Sequence, residues 1–223
     1  MSSPRVSSDA TPSHPRRGLF GHERGFSLLE MIIVVCITMI TTGALFMTLQ
    51  PALKSVRATN AFNLTLATLR RAHDQAVAQK GVLLVTFSTP GTVTVTQPST
   101  LVCQATVLPG TWFNQVTMTL PSDMSFQTDP SFPTAAPDGF GSGKVAIDFD
   151  QGVAAGSTTS LYFCPDGSAR DVNNNINNGV LYMERTGDLF SSRALTVWGT
   201  TGRIKGWRLD ELPNGSGTYW RQQ

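Results

Sequence analysis

The stretch Phe26 to Leu49 reads FSLLEMIIVVCITMITTGALFMTL and carries one charged residue, Glu30. As a helix rising ~1.5 Å per residue it would be about 36 Å long, enough to cross a hydrocarbon core of ~30 Å. Arg16, Arg17 and Arg24 precede it, against Lys54 and Arg57 after it, a bias that favours a cytoplasmic N-terminus and an exported body. A general secretory signal places its small-residue cleavage site after the apolar core. Here the order is reversed, because the candidate cleavage residue Gly25 stands before the apolar run, on its basic side. A carboxylate within hydrocarbon is costly unless it is partnered or stays hydrated at the interface, so Glu30 calls for a reason.

Gly25-Phe26-Ser27-Leu28-Leu29-Glu30, followed by Met31-Ile32-Ile33-Val34-Val35, resembles the processing motif of type IV prepilins and type II secretion pseudopilins. The resemblance implies that a membrane-embedded prepilin peptidase cuts between Gly25 and Phe26 and methylates the new Phe26 amine. It also implies that Glu30 meets the Phe26 amine of a neighbouring subunit in a filament and so sets docking and register. Residues 1–25 would then be a cytoplasmic leader that is removed, and 26–50 a transmembrane assembly segment. The implied partners are other pilins or pseudopilins, the peptidase and an inner-membrane assembly platform. The mature body would be periplasmic.

Beyond the anchor, Pro51 removes a backbone donor and should kink or loosen the helix. Phe62, Leu66, Leu69, Ala72 and Ala76 then recur at three- and four-residue steps, which predicts an amphipathic helix over 51–80 ending at Lys80-Gly81. From Gly81 the period changes to two. Leu83, Val85 and Phe87, a turn at Pro90-Gly91, and Val93 and Val95 predict a hairpin. Further alternation marks Leu101 to Val107, Val145 to Phe149, Leu161 to Cys164, Val180 to Met183, Leu195 to Val197 and Ile204 to Leu209. Pro121 to Gly143 and Asn173 to Asn178 read as loops. The expected fold is therefore α+β, a long N-terminal helix packed on an antiparallel β-rich body over 81–223. The segment from Leu161 to Ser168, with Leu195-Thr196-Val197 and Thr201-Gly202-Arg203, resembles the C-terminal part of the GspH/FimT family of minor pilins.

With 223 residues and 40% hydrophobic content the chain fits one globular domain plus an anchor. Its formal charge of +2 lies wholly before Phe26, and from there onward acids and bases balance, so no global field pulls the mature chain toward nucleic acid. Of three cysteines, Cys36 lies in the apolar run, while Cys103 and Cys164 would be a disulfide in a periplasmic body or else two buried thiols. His14 and His22 would leave with the leader, and His73, on the amphipathic helix, is expected to be a partly exposed surface imidazole. So poor a histidine supply argues against a catalytic site, and no short ligand spacing argues for a metal. Asp148 and Asp150 could offer oxygen to calcium but lack the loop of further ligands, and are expected to be solvated carboxylates on a sheet face. No phosphate-binding loop is present, and no cofactor is expected.

One cluster has another chemistry open to it. Arg203, Lys205 and Arg208 enclose Trp207, and Tyr219, Trp220 and Arg221 follow. Cations among aromatics can hold phosphates and stack on bases. FimT-like proteins of competent bacteria carry a Gly-Arg-x-Arg motif associated with DNA uptake, and Gly202-Arg203-Ile204-Lys205 is similar but replaces the second planar fork with a point charge. The bland alternative puts Arg203 and Lys205 on an exposed strand face with Trp207 over the core.

Overall fold

The computed structural model describes residues 26–99, 102–103, 113–150 and 159–223, and of 47–52 the backbone only. The chain divides into two compact units, 1–48 and 49–223. One helix, α1 (Leu28–Ala78), begins in the first and ends in the second, and it is helical through Pro51.

In the first unit, Leu28–Phe46 is long and apolar enough to cross a membrane once, and none of it is buried. Its threonines do not present bare hydroxyls. Thr38 donates to the Val35 carbonyl at 2.9 Å, Thr41 to Ile37 at 2.9 Å and Thr42 to Thr38 at 2.6 Å. Each hydroxyl proton is thus satisfied by the helix itself, which is what a span without water requires.

In the second unit, α1 buries Ala58, Ala61, Phe62, Thr65, Leu69, Ala72 and Ala76, one face at helical spacing. Leu66, expected on that face, is only partly buried, and Thr65 is buried beside it. The helix closes with Gly81 N–H donating to the Ala76 carbonyl at 3.0 Å and Lys80 N–H to Val77 at 3.3 Å. That pair of bonds is a Schellman cap, and its left-handed residue is Lys80 (φ 51) rather than the glycine the sequence suggested.

Among the described residues ten strands form the expected antiparallel body, as two five-stranded sheets. The first runs β3 (Val116–Thr119), β2 (Thr92–Thr96), β1 (Leu83–Ser88), β5 (Ser160–Phe163), β6 (Ala169–Arg170). The second runs β10 (Thr218–Gln222), β9 (Arg203–Glu211), β8 (Asp188–Trp198), β7 (Gly179–Arg185), β4 (Ile147–Phe149). β1 and β2 are the expected hairpin, Phe87 facing Val93. The strand expected at 101–107 lies outside the described residues except for Val102 and Cys103, which are not in a strand.

β7 and β8 are buried on both faces, not on alternate residues. Leu181, Met183, Leu195 and Val197 face the main core with α1. Val180, Tyr182 and Ala194 face the other way, where Phe132, Phe140, Trp207 and Trp220 pack on them. Phe132 and Phe140 belong to the 121–143 segment, which therefore acts as a cover for the sheet and not as a solvated loop. Met124 and Phe126 of the same segment enter the main core. Asp148, expected to be solvated, is 4% exposed beneath this cover and accepts from the Ser142 N–H at 3.2 Å.

Gly206 of β9 lies directly under the Phe62 ring, so that a methyl group there would overlap it. We expect Gly206→Ala to lose about 1 to 3 kcal/mol through overpacking. Adding Phe62→Leu should recover part of that loss, a coupling readable from denaturant melts of the four full-length proteins in detergent; strictly additive costs would show that the two sites do not meet.

Candidate functional sites at the two ends of the chain

At the N-terminal end, Gly25 lies outside the described residues. Phe26 is 75% exposed just before α1, and Glu30 occupies the helix's first turn. Ser27 accepts the first helical bond, from Met31 N–H at 3.1 Å. A helix N-terminus carries unsatisfied N–H groups and roughly half a positive charge, so a carboxylate in its first turn is favourably placed. An ammonium group at the same end is not. An amine freed at Phe26 would therefore need a counter-charge, and the sequence nearby supplies Glu30 alone.

At the C-terminal end, β8 and β9 place Trp198 opposite Arg203, Thr196 opposite Lys205, and Ala194 opposite Trp207. Lys205 does not point freely to solvent. Its Nζ donates to Asp138 Oδ1 at 2.6 Å and lies 5.1 Å from the Trp198 ring centroid and 5.7 Å from that of Trp207. The other carboxylate oxygen, Oδ2, accepts from Thr196 Oγ1 at 2.6 Å and Trp198 Nε1 at 2.9 Å, while Trp207 Nε1 donates to Thr196 Oγ1 at 3.0 Å. Burial acts to raise the Asp138 carboxyl, but the bonds from Lys205, Thr196 and Trp198 with the Lys205 charge outweigh it and hold the group below its ordinary range.

The other cations divide among an acid, main-chain carbonyls and solvent. Arg208 and Arg221 flank one acid, Asp210, at 3.2 and 2.6 Å. Arg193 is buried and donates to the carbonyls of Phe190 and Ser192. Arg203 is exposed, its N–H capped by Thr201 Oγ1 at 3.3 Å. Gly202, at φ 60, is required by packing: a side chain would run into the His73 ring and the Gly167 carbonyl.

His73 is more than a surface imidazole. Its Nε2 lies 3.1 Å from the Gly167 carbonyl, its Nδ1 3.1 Å from Asp74 Oδ1, and its ring meets Phe163 edge-on at 5.5 Å. It ties α1 to the turn after β5, with no nucleophile or metal partner in that set. Cys103 and Cys164 form a disulfide with Cα atoms 5.7 Å apart, and Cys36 is a free thiol on the apolar helix. In the loop-entropy picture a bridge of this span contributes about 4 kcal/mol.

Sequence reasoning missed Asp138, the residue on which the C-terminal cluster turns. A signal was present: Phe126, Phe132 and Phe140 at short intervals are too apolar for a segment left in water.

Together these features define an α+β protein with one apolar N-terminal helix and two antiparallel sheets. No family model and no curated protein matches the chain. Among solved structures it is similar to the type IV minor pilin FimU of Pseudomonas aeruginosa strain PAO1, at 11% identity over 72% of this chain and 91% of that one, with a TM-score of 0.39.

Replacing Lys205 with Ala would strand a carboxylate that is 7% exposed, and should cost about 3 kcal/mol. Arg203→Ala should cost under about 0.5 kcal/mol. Thermal or denaturant melts of the two variants decide this, and equal costs would mean that the Asp138 pair contributes nothing.

Proposed function

We propose that the chain is a minor pilin or pseudopilin, a non-enzymatic subunit of a type IV pilus or a type II secretion pseudopilus. The observation that carries this reading is a single carboxylate, Glu30, in the first turn of an otherwise apolar and exposed helix, directly behind the Gly25-Phe26 junction. On this reading the precursor sits in the bacterial inner membrane with its N-terminus in the cytoplasm and its β-rich body in the periplasm. A prepilin peptidase removes residues 1–25 and methylates Phe26. The assembly platform then moves the apolar helix from lipid into a filament, where Glu30 pairs with the Phe26 amine of a neighbour and the sheets face partner subunits. The helix needs both environments to be apolar, and the one charged pair sets where each copy stops.

The DNA-binding alternative draws less support. Of its candidate residues, Lys205 is engaged by Asp138 and the Trp207 indole N–H by Thr196, which leaves Arg203, exposed, and Arg208, partly exposed and paired with Asp210. Two cations, one of them beside an acid, provide little phosphate attraction.

Mass spectrometry of the protein isolated from membranes should find a mature N-terminus at N-methylated Phe26. Glu30→Gln should leave cleavage intact while reducing recovery in sheared filaments at least about tenfold, the equivalent of some 1.4 kcal/mol in docking. A mature chain starting elsewhere, or filaments that take up Glu30→Gln as well as the native subunit, would end the proposal.

A further inference from the structure

A second acid in the body is placed as unusually as Glu30, and for different reasons. Glu184 lies near the end of β7, is 2% exposed, and its Oε2 has no hydrogen-bond donor. Its backbone holds the start of the covering segment. Ser125 N–H donates to the Glu184 carbonyl at 2.9 Å, and Glu184 N–H returns a bond to Ser125 at 3.0 Å. Just beyond, Gln127 Nε2 donates to Thr186 Oγ1 at 3.3 Å, and Thr128 Oγ1 to the Lys144 carbonyl at 3.3 Å. The far end of the segment is fixed separately, by Asp138 on Lys205.

The charges that act on Glu184 are of the wrong sign for an ionised carboxylate. Asp129 on the covering segment and Asp188 at the start of β8 both repel it. Arg185, next in the chain, is turned to Asp123 at 3.6 Å and Asp188 at 3.7 Å. Arg193 on β8 donates to main-chain carbonyls. Burial above all, then the two aspartates, push the Glu184 carboxyl up to about 7, with the Ser192 hydroxyl opposing them.

We propose that Glu184 is a pH-operated fastening for the 121–143 segment: neutral, it is tolerated beneath Ser125 to Asp129; ionised, it loosens that stretch from the end of β7 and frees Phe132 from Tyr182. The sign follows from the direction of the shift. A carboxyl raised in the folded state contributes its full stabilisation below its unfolded value and loses it as pH climbs toward neutrality. The fastening is therefore complete only below the ordinary carboxyl range, weakens as pH climbs from there to about 7, and is loosest above neutral pH. The segment is not released entirely, because the contact of Asp138 with Lys205 holds its far end. The inference stands on the second unit alone and is independent of the reading of the N-terminal segment.

Hydrogen exchange of the full-length protein in detergent tests it, with rates corrected for intrinsic pH dependence. Between about pH 5.5 and about pH 8 the Ser125 and Glu184 amides should lose protection at least about tenfold, while those of β8 and β9 hold theirs. In Glu184→Gln protection should persist at both pH values. Should that variant fail to fold, Asp129→Asn with Asp188→Asn serves instead, and should shrink the loss of protection and complete it at lower pH, because the two aspartates help to raise the Glu184 carboxyl. Protection that is insensitive to pH in the native protein, or a loss unchanged in the variants, would overturn the proposal.

Discussion

The closeness with which α1 lies on the second sheet constrains everything else in the body. The helix offers a face of alanines, Ala58, Ala61, Ala72 and Ala76, broken by Phe62 and Leu69. Small residues let the helix axis come near the strands, and the one large ring must then find a gap. Gly206 is that gap. Its register partner on β8 is Leu195, whose partner on β7 is Leu181, whose partner on β4 is Ile147. One row across four strands is thus indexed to one ring on the helix. A slip of one residue would exchange that row for the opposite face and present Trp207 to Phe62 where a hydrogen now stands.

The opposite face carries the cost of this arrangement, because strands as apolar as β7 and β8 cannot be left wet on one side. The 121–143 segment covers it with Phe132 and Phe140, and Asp138 fixes the cover to Lys205 on β9. A buried ion pair of this kind is weak evidence for stability, since desolvation offsets much of its attraction. Its value here is in selecting one placement of a segment that has little regular structure of its own. Two indole N–H groups and a hydroxyl complete the network, so no oxygen of the Asp138 carboxylate is left to water alone. Of the positive charge in the C-terminal strands, Arg193 and Lys205 are thus used inside the body, while Arg203 and Arg221 remain exposed and Arg208 partly so.

What was legible in the sequence follows from how local each signal is. The apolar run from Phe26, the alternation of Leu83, Val85 and Phe87, and the helical spacing of Phe62, Leu69, Ala72 and Ala76 are each set by neighbours a few residues away, and they lie where they were expected. The Lys80 cap was misassigned to Gly81 because both residues suit a helix end and only backbone geometry separates them. Asp148 and Glu184 could not be read as buried, since each depends on the 121–143 cover, and the pairing of Asp138 with Lys205 depends on a distant strand. Lys205 misled for the same reason: a cation beside tryptophans on a strand has the same sequence signature whether it faces a phosphate or an aspartate 67 residues away.

Ionisable groups in the two units are handled by opposite means, and the contrast explains why one acid can be left without a local partner. In the body, distant segments bring donors to Asp138, and where they fail to, as at Glu184, the group is pushed toward neutrality. Along Leu28–Phe46 the described residues supply no such segment, and the threonines turn to their own carbonyls. Glu30 has no hydroxyl-like escape of that kind, because a carboxylate accepts and the carbonyls of its helix accept as well. What it can use is the positive end of the helix, which holds it within the first turn, and any ammonium brought to the same place. Under the function proposed above, such a helix would be incomplete as a single copy, its acid placed for the amine that processing would free.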